Sequence, residues 1–334
     1  MVQYLNMRKK EMRKEMELNK NNVIENAYDK LFFTEKKQTK GIQIYCLNND
    51  TGTGKMRCYN LLEGIQLSYN TLNMQTTYQK IEPKEGMLQI DHCLEGCYEF
   101  ILENNEHAFL GSGDLSIVDL GKALFKNSCI PMKKYVGLSL FIDINVAQKS
   151  IDKYFPYGNI DLHKLRDRLC KNGVSLIIRS REGINHIINE LYEVDERVKL
   201  PYSIIKTIEL LLFLSLIESK DTEQFSSFSE PVYRATQECY KMIIENPFEW
   251  LKIRDLAKKF AVSESSLKNC FQCISGKSIG AFMRENRIRE AAILLNKKPY
   301  LSIGELAEMT GYENQSKFSK AFKSIMGKTP SEFK

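Results

Sequence analysis

Two groups of small polar and basic side chains near the end of the sequence have helical spacing and the residue types that read nucleobases. Asn and Gln side chains can form two hydrogen bonds with adenine, Lys can reach the acceptors of guanine, and Ser can bond to bases or phosphates. The alternative for each residue is the solvated polar face of a structural helix. The candidates are Ser265, Ser266, Lys268, Asn269 and Gln272 in the first group, and Gln315, Ser316, Lys317, Ser319, Lys320 and Lys323 in the second.

The two groups belong to a duplicated segment. Its first part repeats with an offset of 50 residues, and the part beyond the turn repeats with an offset of 51. One helix-turn-helix unit is therefore present twice, with one extra residue in the second turn. The matching pairs are Ile253 and Ile303, Leu256 and Leu306, Ala257 and Ala307, Ser265 and Ser316, Leu267 and Phe318, Phe271 and Phe322, and Gly276 and Gly327.

Each unit carries the signals that start and anchor its second helix. Ser263 is the predicted N-cap in the first unit and Asn314 in the second, because both residue types accept hydrogen bonds from the free N–H groups of a helix start. Such a start also suits phosphate. Residues 278–296 have a long apolar face and predict one linking helix. Two reading helices held in this way would meet successive major grooves, about 34 Å apart, on one side of a duplex.

The charge of the chain is distributed unevenly. Residues 232–334 contain 18 Lys and Arg against 11 Asp and Glu, whereas the preceding 231 residues contain 30 against 31. The whole basic excess of +6 therefore comes from the duplicated segment. A positive region of this kind favours a polyanion partner such as nucleic acid, although a solvated Lys-rich surface has the same composition.

The duplicated segment resembles the DNA-binding domain of the AraC/XylS family of bacterial transcription regulators, without a gap over about the last 85 residues. The resemblance implies binding to double-stranded promoter DNA, contact with RNA polymerase and activation of transcription, although the sign of regulation stays open. One departure is that the first reading helix has a single basic residue, Lys268. The motifs that carry the resemblance include Leu256-Ala257, Gly276-Lys277-Ser278, Arg287-Ile288-Arg289-Glu290-Ala291, Ile303-Gly304-Glu305-Leu306-Ala307, Gly311-Tyr312 and Gly327-Lys328-Thr329-Pro330.

The N-terminal half of the chain has a different pattern of residues. Short runs of β-branched and aromatic residues alternate with turn-formers, which predicts an antiparallel, barrel-like (cupin-like) sheet domain over residues 41–145. Such a barrel can be filled by its own side chains or can enclose a small ligand. The predicted strands include Ile42–Tyr45, Ile65–Tyr69, Met87–Cys93, Tyr98–Leu102, Leu115–Val118 and Val136–Ile142.

Residues 146–220 predict helices. Ile184, Ile187, Ile188 and Leu191 have the spacing of one buried helix face. The next helix begins at Pro201, and its run Leu210–Leu214 is apolar nearly all round, so it must be buried on several sides. A homodimer interface and a deep intramolecular groove both satisfy that requirement. The complete prediction is an α+β chain with a polar lead-in (1–40), a sensor domain (41–145), a helical dimerisation region (146–220), a linker (221–231) and an all-α DNA-binding domain (232–334).

Sites of other kinds find little support in the residues. His92, Cys93, Cys97 and His107 do not have a standard metal-ligand spacing, and Cys270 of the pair Cys270-x-x-Cys273 falls on a core face, so we expect no metal. Residues 51–55 (Thr-Gly-Thr-Gly-Lys) lack the spacing of a phosphate loop and predict a hairpin turn. With four histidines and no partnered nucleophile, we predict neither catalytic residues nor a cofactor.

We therefore expect a cytoplasmic bacterial transcription regulator that binds the nucleoid, responds to a small molecule or a protein partner, and is a homodimer. The start of the sequence has no apolar signal segment, and no stretch is long enough to cross a membrane. Nine scattered cysteines favour reduced thiols. The alternative is a ligand-binding or enzymatic barrel that its tail merely tethers to DNA.

Overall fold

The computed structural model describes residues 23–27, 33–39, 42–77, 83–102, 104–122, 125–170, 176–179, 182–218, 223–224 and 226–334. It divides into two compact units, residues 1–227 and residues 228–334. The first contains an antiparallel sheet with helices, and the second is entirely helical, which confirms the predicted α+β class.

The described strands of the first unit form one antiparallel sheet. Its main path runs β1-β2-β3-β4-β9-β5-β7-β10-β11, while β6 and β8 pair with the far half of β5. The strands are β1 (Phe33–Thr39), β2 (Ile42–Asn49), β3 (Gly52–Leu62), β4 (Ile65–Asn73), β5 (Met87–Leu102), β6 (His107–Gly111), β7 (Asp114–Asp119), β8 (Phe125–Cys129), β9 (Tyr135–Asp143), β10 (Leu176–Arg179), β11 (Glu223–Gln224) and β12 (Ser227–Phe228).

Helices cover one face of this sheet. Side chains alternate between the two faces of a strand, so Leu67, Ile90 and Leu140 pack with the helices in one core cluster. Ile184, Ile187, Ile188 and Leu191 are buried in the same cluster, as their spacing predicts. The helices of this unit are α1 (Val23–Ala27), α2 (Ile144–Tyr154), α3 (Leu162–Leu169), α4 (Glu182–Glu193) and α5 (Lys199–Leu216).

The opposite face, which we call the pocket face, has a second core cluster and unusually many buried polar groups. Its apolar members include Met56, Leu72 and Tyr135. Gln66, Ser68 and Asn70 of β4 are also buried there, at alternate positions along the strand. Each has a hydrogen-bond partner, since Gln66 donates to Gln43, Ser68 donates to Asn70 and Asn70 donates to Ser139. A buried polar row of this kind is stable only when its members are paired.

The structure differs from several sequence predictions in this unit. Residues 1–22 of the predicted lead-in lie outside the described residues, but Val23 and Ile24 are buried in the core, and Phe33–Thr39 pairs with β2. The two strands predicted over Met87–Cys93 and Tyr98–Leu102 are one continuous strand, β5, which has a bulge between Cys93 and Glu95. The predicted linker over 221–231 contains β11 and β12, and α6 begins within it at Glu230.

The second unit contains seven helices among its described residues, and these have two cores. The N-terminal part of α9 packs in the first core through Ile279, and its C-terminal part packs in the second through Ile288 and Leu295. The linking helix predicted over 278–296 is therefore present, with Ser278 as its N-cap. The helices are α6 (Glu230–Glu245), α7 (Ile253–Lys259), α8 (Glu264–Ser275), α9 (Ile279–Lys297), α10 (Ile303–Met309), α11 (Gln315–Met326) and α12 (Pro330–Phe333).

Candidate nucleic-acid interface

The first helix-turn-helix unit consists of α7, a tight turn and α8. Leu256 and Ala257 of α7 are buried against Leu267 and Phe271 of α8 in the first core. The side chain of Ser263 accepts a hydrogen bond from the backbone N–H of Ser266 at 3.0 Å, so it is the N-cap that the sequence predicts. Core and cap together fix the direction in which α8 leaves the turn.

The second unit has the same construction in α10 and α11. Leu306 and Ala307 pack against Phe318 and Phe322, all four of them buried. Asn314 accepts a hydrogen bond from the backbone N–H of Lys317 at 2.9 Å, which confirms it as the N-cap of α11. A capping box between Ser302 and Glu305 also fixes the start of α10, as expected for this pairing of Ser with Glu three residues later.

The two turns have the same backbone geometry. The N–H of Val262 bonds to the carbonyl of Ala257 at 3.0 Å, and the N–H of Tyr312 bonds to the carbonyl of Ala307 at 2.9 Å. The residue before each donor is left-handed, with φ of 54° at Ala261 and 73° at Gly311. The extra residue, predicted in the second turn, therefore lies after the part of the turn that the two units share, between Tyr312 and the cap Asn314.

The shared geometry of the two turns predicts that exchanging alanine and glycine at the left-handed position has opposite effects on stability in the two turns. Gly311→Ala should lower the free energy of unfolding of residues 228–334, which contain the second helix-turn-helix unit, by about 2 kcal/mol. Alanine is strained at this φ, and its Cβ would lie 2.2 Å from Nε1 of Trp250. Ala261→Gly removes the same strain from the first turn and should be neutral or stabilise by up to about 1 kcal/mol. Trp250 is the single tryptophan of the chain, so its fluorescence during urea unfolding of the full chain reports on residues 228–334, the compact unit that contains both turns. Equal losses in both variants would contradict the shared geometry.

Each reading helix presents one stripe of four side chains to solvent. The 51-residue offset places Ser265, Lys268, Asn269 and Gln272 of α8 at the same positions as Ser316, Ser319, Lys320 and Lys323 of α11. Residues at i, i+3, i+4 and i+7 lie on one face of a helix. All eight are exposed except Ser319, which is half-buried. The first stripe is mainly amide and hydroxyl, whereas the second has two lysines.

The remaining candidate residues lie beside these stripes. Gln315 and Lys317 are exposed, and Ser266 is half-buried, with its hydroxyl bonded to the cap residue Ser263 at 2.8 Å. Acidic neighbours engage two of the lysines: Lys268 pairs with Glu264 at 3.1 Å, and Lys317 pairs with Glu313. The i, i+4 spacing of both pairs is visible in the sequence. Since no such pair involves Lys320 or Lys323 among the described residues, the second stripe holds the more available charge.

One residue of the domain has a role that its type did not suggest. Arg287 is a charged residue of the linking helix, but it is only 3% exposed. Its guanidinium donates to the backbone carbonyls of Pro247 at 3.2 Å and Glu249 at 2.7 Å and stacks over the ring of Trp250. Arg287 therefore holds the segment before α7 against α9, and burial lowers its pKa.

The other sites considered in the sequence do not assemble. Cys270 is buried, as predicted. His107 pairs with Glu99, whereas His92 bonds to Tyr192 on the helix-covered side. Across the described part of the chain, no group of three His, Cys, Asp or Glu side chains could hold a metal ion. Residues 51–55 do belong to a hairpin, but its turn is formed by residues 50–51, since Gly52 already pairs with Asn49.

Comparison with known proteins identifies the family. A family model described as a helix-turn-helix domain matches residues 256–334. The Msm operon regulatory protein of Streptococcus mutans is 31% identical over 247 residues, which cover 70% of this chain and 82% of that protein. The chain belongs to the AraC/XylS family. As a member, the regulator controls transcription and binds DNA through its helix-turn-helix domain.

Two further similarities span most of the regulator. The raffinose operon transcriptional regulatory protein RafR of Pediococcus pentosaceus is 25% identical over 263 residues, which cover 73% of this chain and 83% of that one. The solved structure of ToxT from Vibrio cholerae is 16% identical and covers 81% of this chain and 97% of its own, with a TM-score of 0.33. That superposition is too loose for a comparison of the folds.

Proposed function

We propose that the regulator reads two successive major grooves of promoter DNA with α8 and α11, and that its sheet domain responds to a small molecule. The reading of two grooves is supported by the equivalence of the two stripes. They occupy the same positions in two helix-turn-helix units that have the same turn and the same type of cap. Two equivalent readers joined by one continuous helix suit two equivalent grooves, which lie about 34 Å apart.

The two stripes would contribute differently. Asn269 and Gln272 offer paired donors and acceptors to adenine, whereas Lys320 and Lys323 offer donors to guanine or phosphate. Phosphate contacts supply affinity, and contacts with base edges supply sequence preference. We therefore expect the first half-site to be the more selective, and the second to account for more of the salt dependence.

Selection of bound fragments from randomised DNA tests the reading role of α8. Asn269→Ala should relax the preference for one base pair in one half-site, with a loss of about 1–3 kcal/mol on the preferred sequence. Asn296→Ala is the matched control, because Asn296 is also exposed but lies near the end of the linking helix α9, outside both stripes. If Asn269→Ala selects the same sequence with the same affinity as the parent chain, α8 does not read bases as proposed.

The sheet domain supplies the proposed sensor. Its pocket face has a cavity lined by polar, aromatic and aliphatic side chains. A ligand that binds one arrangement of the two units more tightly than another shifts the population toward it and changes affinity for DNA or contact with RNA polymerase. Promoter binding places this activity on the nucleoid in the bacterial cytoplasm. No described helix is long and apolar enough to span a membrane.

We also propose that α5 joins two copies of the regulator. Ile205, Leu212 and Leu216 are spaced at i, i+7 and i+11, so they share one side of the helix, and they are 62%, 38% and 81% exposed. Apolar side chains aligned in this way favour association, and a two-fold dimer is the commonest assembly. The described residues of the first compact unit, residues 1–227, leave these three side chains exposed.

The dimer is tested by placing charge on the stripe. Ile205→Glu combined with Leu216→Glu should convert the full chain from dimer to monomer at micromolar concentration, because two desolvated carboxylates oppose association. Tyr154→Glu combined with Tyr157→Glu is the control, since both tyrosines are exposed aromatics outside α5. Sedimentation equilibrium measures the mass. A dimer that survives the α5 substitutions would exclude this interface.

A further inference from the structure

The cavity in the pocket face is small, and one of its walls carries charge. Its volume is about 40 Å³, which is space for roughly three water molecules. Asp91 is the one formally charged residue in its described lining. The lining consists of Met56, Asn70, Leu72, Thr77, Gln89, Asp91, Tyr98, Phe100, Leu110, Tyr135 and Ser139.

Asp91 has hydrogen bonds but no counter-charge in the described structure. It is 5% exposed, and both carboxylate oxygens accept from Nε2 of Gln89 at 2.8 Å. Ser139 gives it a further hydrogen bond and is itself held by Asn70. These partners are neutral, and no described Lys, Arg or His forms an ion pair with Asp91. Burial raises the pKa of Asp91 to about 6.

Aromatic rings form another part of the lining. Tyr98 lies against Phe100 and Tyr135, with ring centroids 5.3 and 5.4 Å apart. The hydroxyl of Tyr98 is within hydrogen-bond distance of Thr77 and Ser128, and that of Tyr135 donates to the carbonyl of His92. Since both hydroxyls already have partners, the rings rather than the hydroxyls are what these tyrosines offer to a guest.

We propose that this cavity binds a small organic ammonium ion, with Asp91 as its counter-charge and the rings of Tyr98, Phe100 and Tyr135 beside its charged group. This inference rests on the proposed sensor role of the sheet domain. A carboxylate buried without a counter-charge is costly, and a cationic guest removes that cost. Aromatic faces also attract ammonium groups. A hydroxyl compound could bond to Asp91 but would leave its charge uncompensated, and the small volume favours a guest of few atoms.

The test compares a charged and a neutral probe of matched length on the full chain. Ethanolamine is titrated against ethylene glycol, with calorimetry as the readout. We expect the ammonium probe to bind at least tenfold more tightly than the diol. Asp91→Asn should reduce ammonium binding at least tenfold. Asp119→Asn is the control, because Asp119 is an equally buried carboxylate of the same sheet that lies outside the cavity lining.

Three outcomes would overturn the inference: equal binding of the diol and the ammonium probe, unchanged ammonium binding by Asp91→Asn, or no binding of the ammonium probe. Thermal unfolding of both variants checks that they are folded. DNA affinity measured on the same samples separates this inference from the sensor role. Ammonium binding that requires Asp91 but leaves DNA affinity unchanged would support the cation site and contradict the sensor. A diol that bound instead and changed DNA affinity would contradict the cation site and support the sensor role.

Discussion

Replacement of both Lys320 and Lys323 by alanine lowers affinity for the preferred DNA about ten- to hundredfold at physiological salt, since each removes a charge-assisted contact. Both side chains are exposed on α11 and have no ion pair among the described residues, whereas Lys268 and Lys317 each face a glutamate. If both contact phosphate, the slope of log affinity against log salt concentration becomes shallower by roughly 1.8. Gel-shift titrations at several salt concentrations measure both quantities.

The matched control is Lys297→Ala combined with Lys298→Ala. These two lysines are exposed at the end of the linking helix, so the variant has the same net charge but intact reading stripes. Its affinity should fall much less, because a change in net charge acts only through the screened field. If the two double variants lose affinity equally, α11 contributes general positive charge and not defined contacts.

Asp91→Asn increases the free energy of unfolding of the first unit by about 3 kcal/mol above pH 6. The folded-state pKa of Asp91 is raised from 3.8 to about 6 by burial, and about two pKa units correspond to roughly 3 kcal/mol. Because the folded pKa is the higher one, the folded state holds the proton more tightly. The parent chain therefore loses stability as pH rises from about 4 to 6, and the gain from asparagine appears over the same window and vanishes below it.

Calorimetry of the full chain at pH 3.8, 5 and 7.5 measures this gain. The fluorescence of Trp250 identifies the transition of the second unit, and the remaining transition belongs to the first. Comparison of the two proteins at each pH cancels the contributions of other titrating groups. A variant that is less stable than the parent at pH 7.5 would mean that the hydrogen bonds of Asp91 outweigh the cost of its burial.

Local signals in the sequence were sufficient for the DNA-binding domain. The caps at Ser263 and Asn314, the anchoring residues and the linking helix depend on neighbours within a few turns of helix, so spacing reveals them. The change of offset from 50 to 51 indicated an extra residue. It did not show that this residue lies after a turn whose backbone geometry is the same in both units. Ala261 hides that geometry, because alanine gives no sign of the left-handed backbone that Gly311 announces.

The sheet domain was harder to predict from the sequence, because the order of its strands depends on contacts between distant residues. The pairing of β4 with β9, and of β5 with four other strands, leaves no local period. The bulge at Cys93 and Glu95 lets β5 continue through a dipeptide that is typical of a turn. Val23 and Ile24 occur in a polar stretch, so nothing nearby shows that they enter the core. Asp91 looks like an ordinary acidic residue until the strands place it in the cavity.

The central claim is that one chain reads two successive major grooves with equivalent helices. Missing-base interference on a selected DNA fragment tests it most directly, because loss of a base, adenine as well as guanine, removes its contacts in the major groove. We predict two clusters of interfering positions per protein chain, centred about one helical turn, 10–10.5 base pairs, apart, with Lys320→Ala and Lys323→Ala weakening only one of them. A single cluster per chain, or two clusters equally weakened by those substitutions, would contradict the claim.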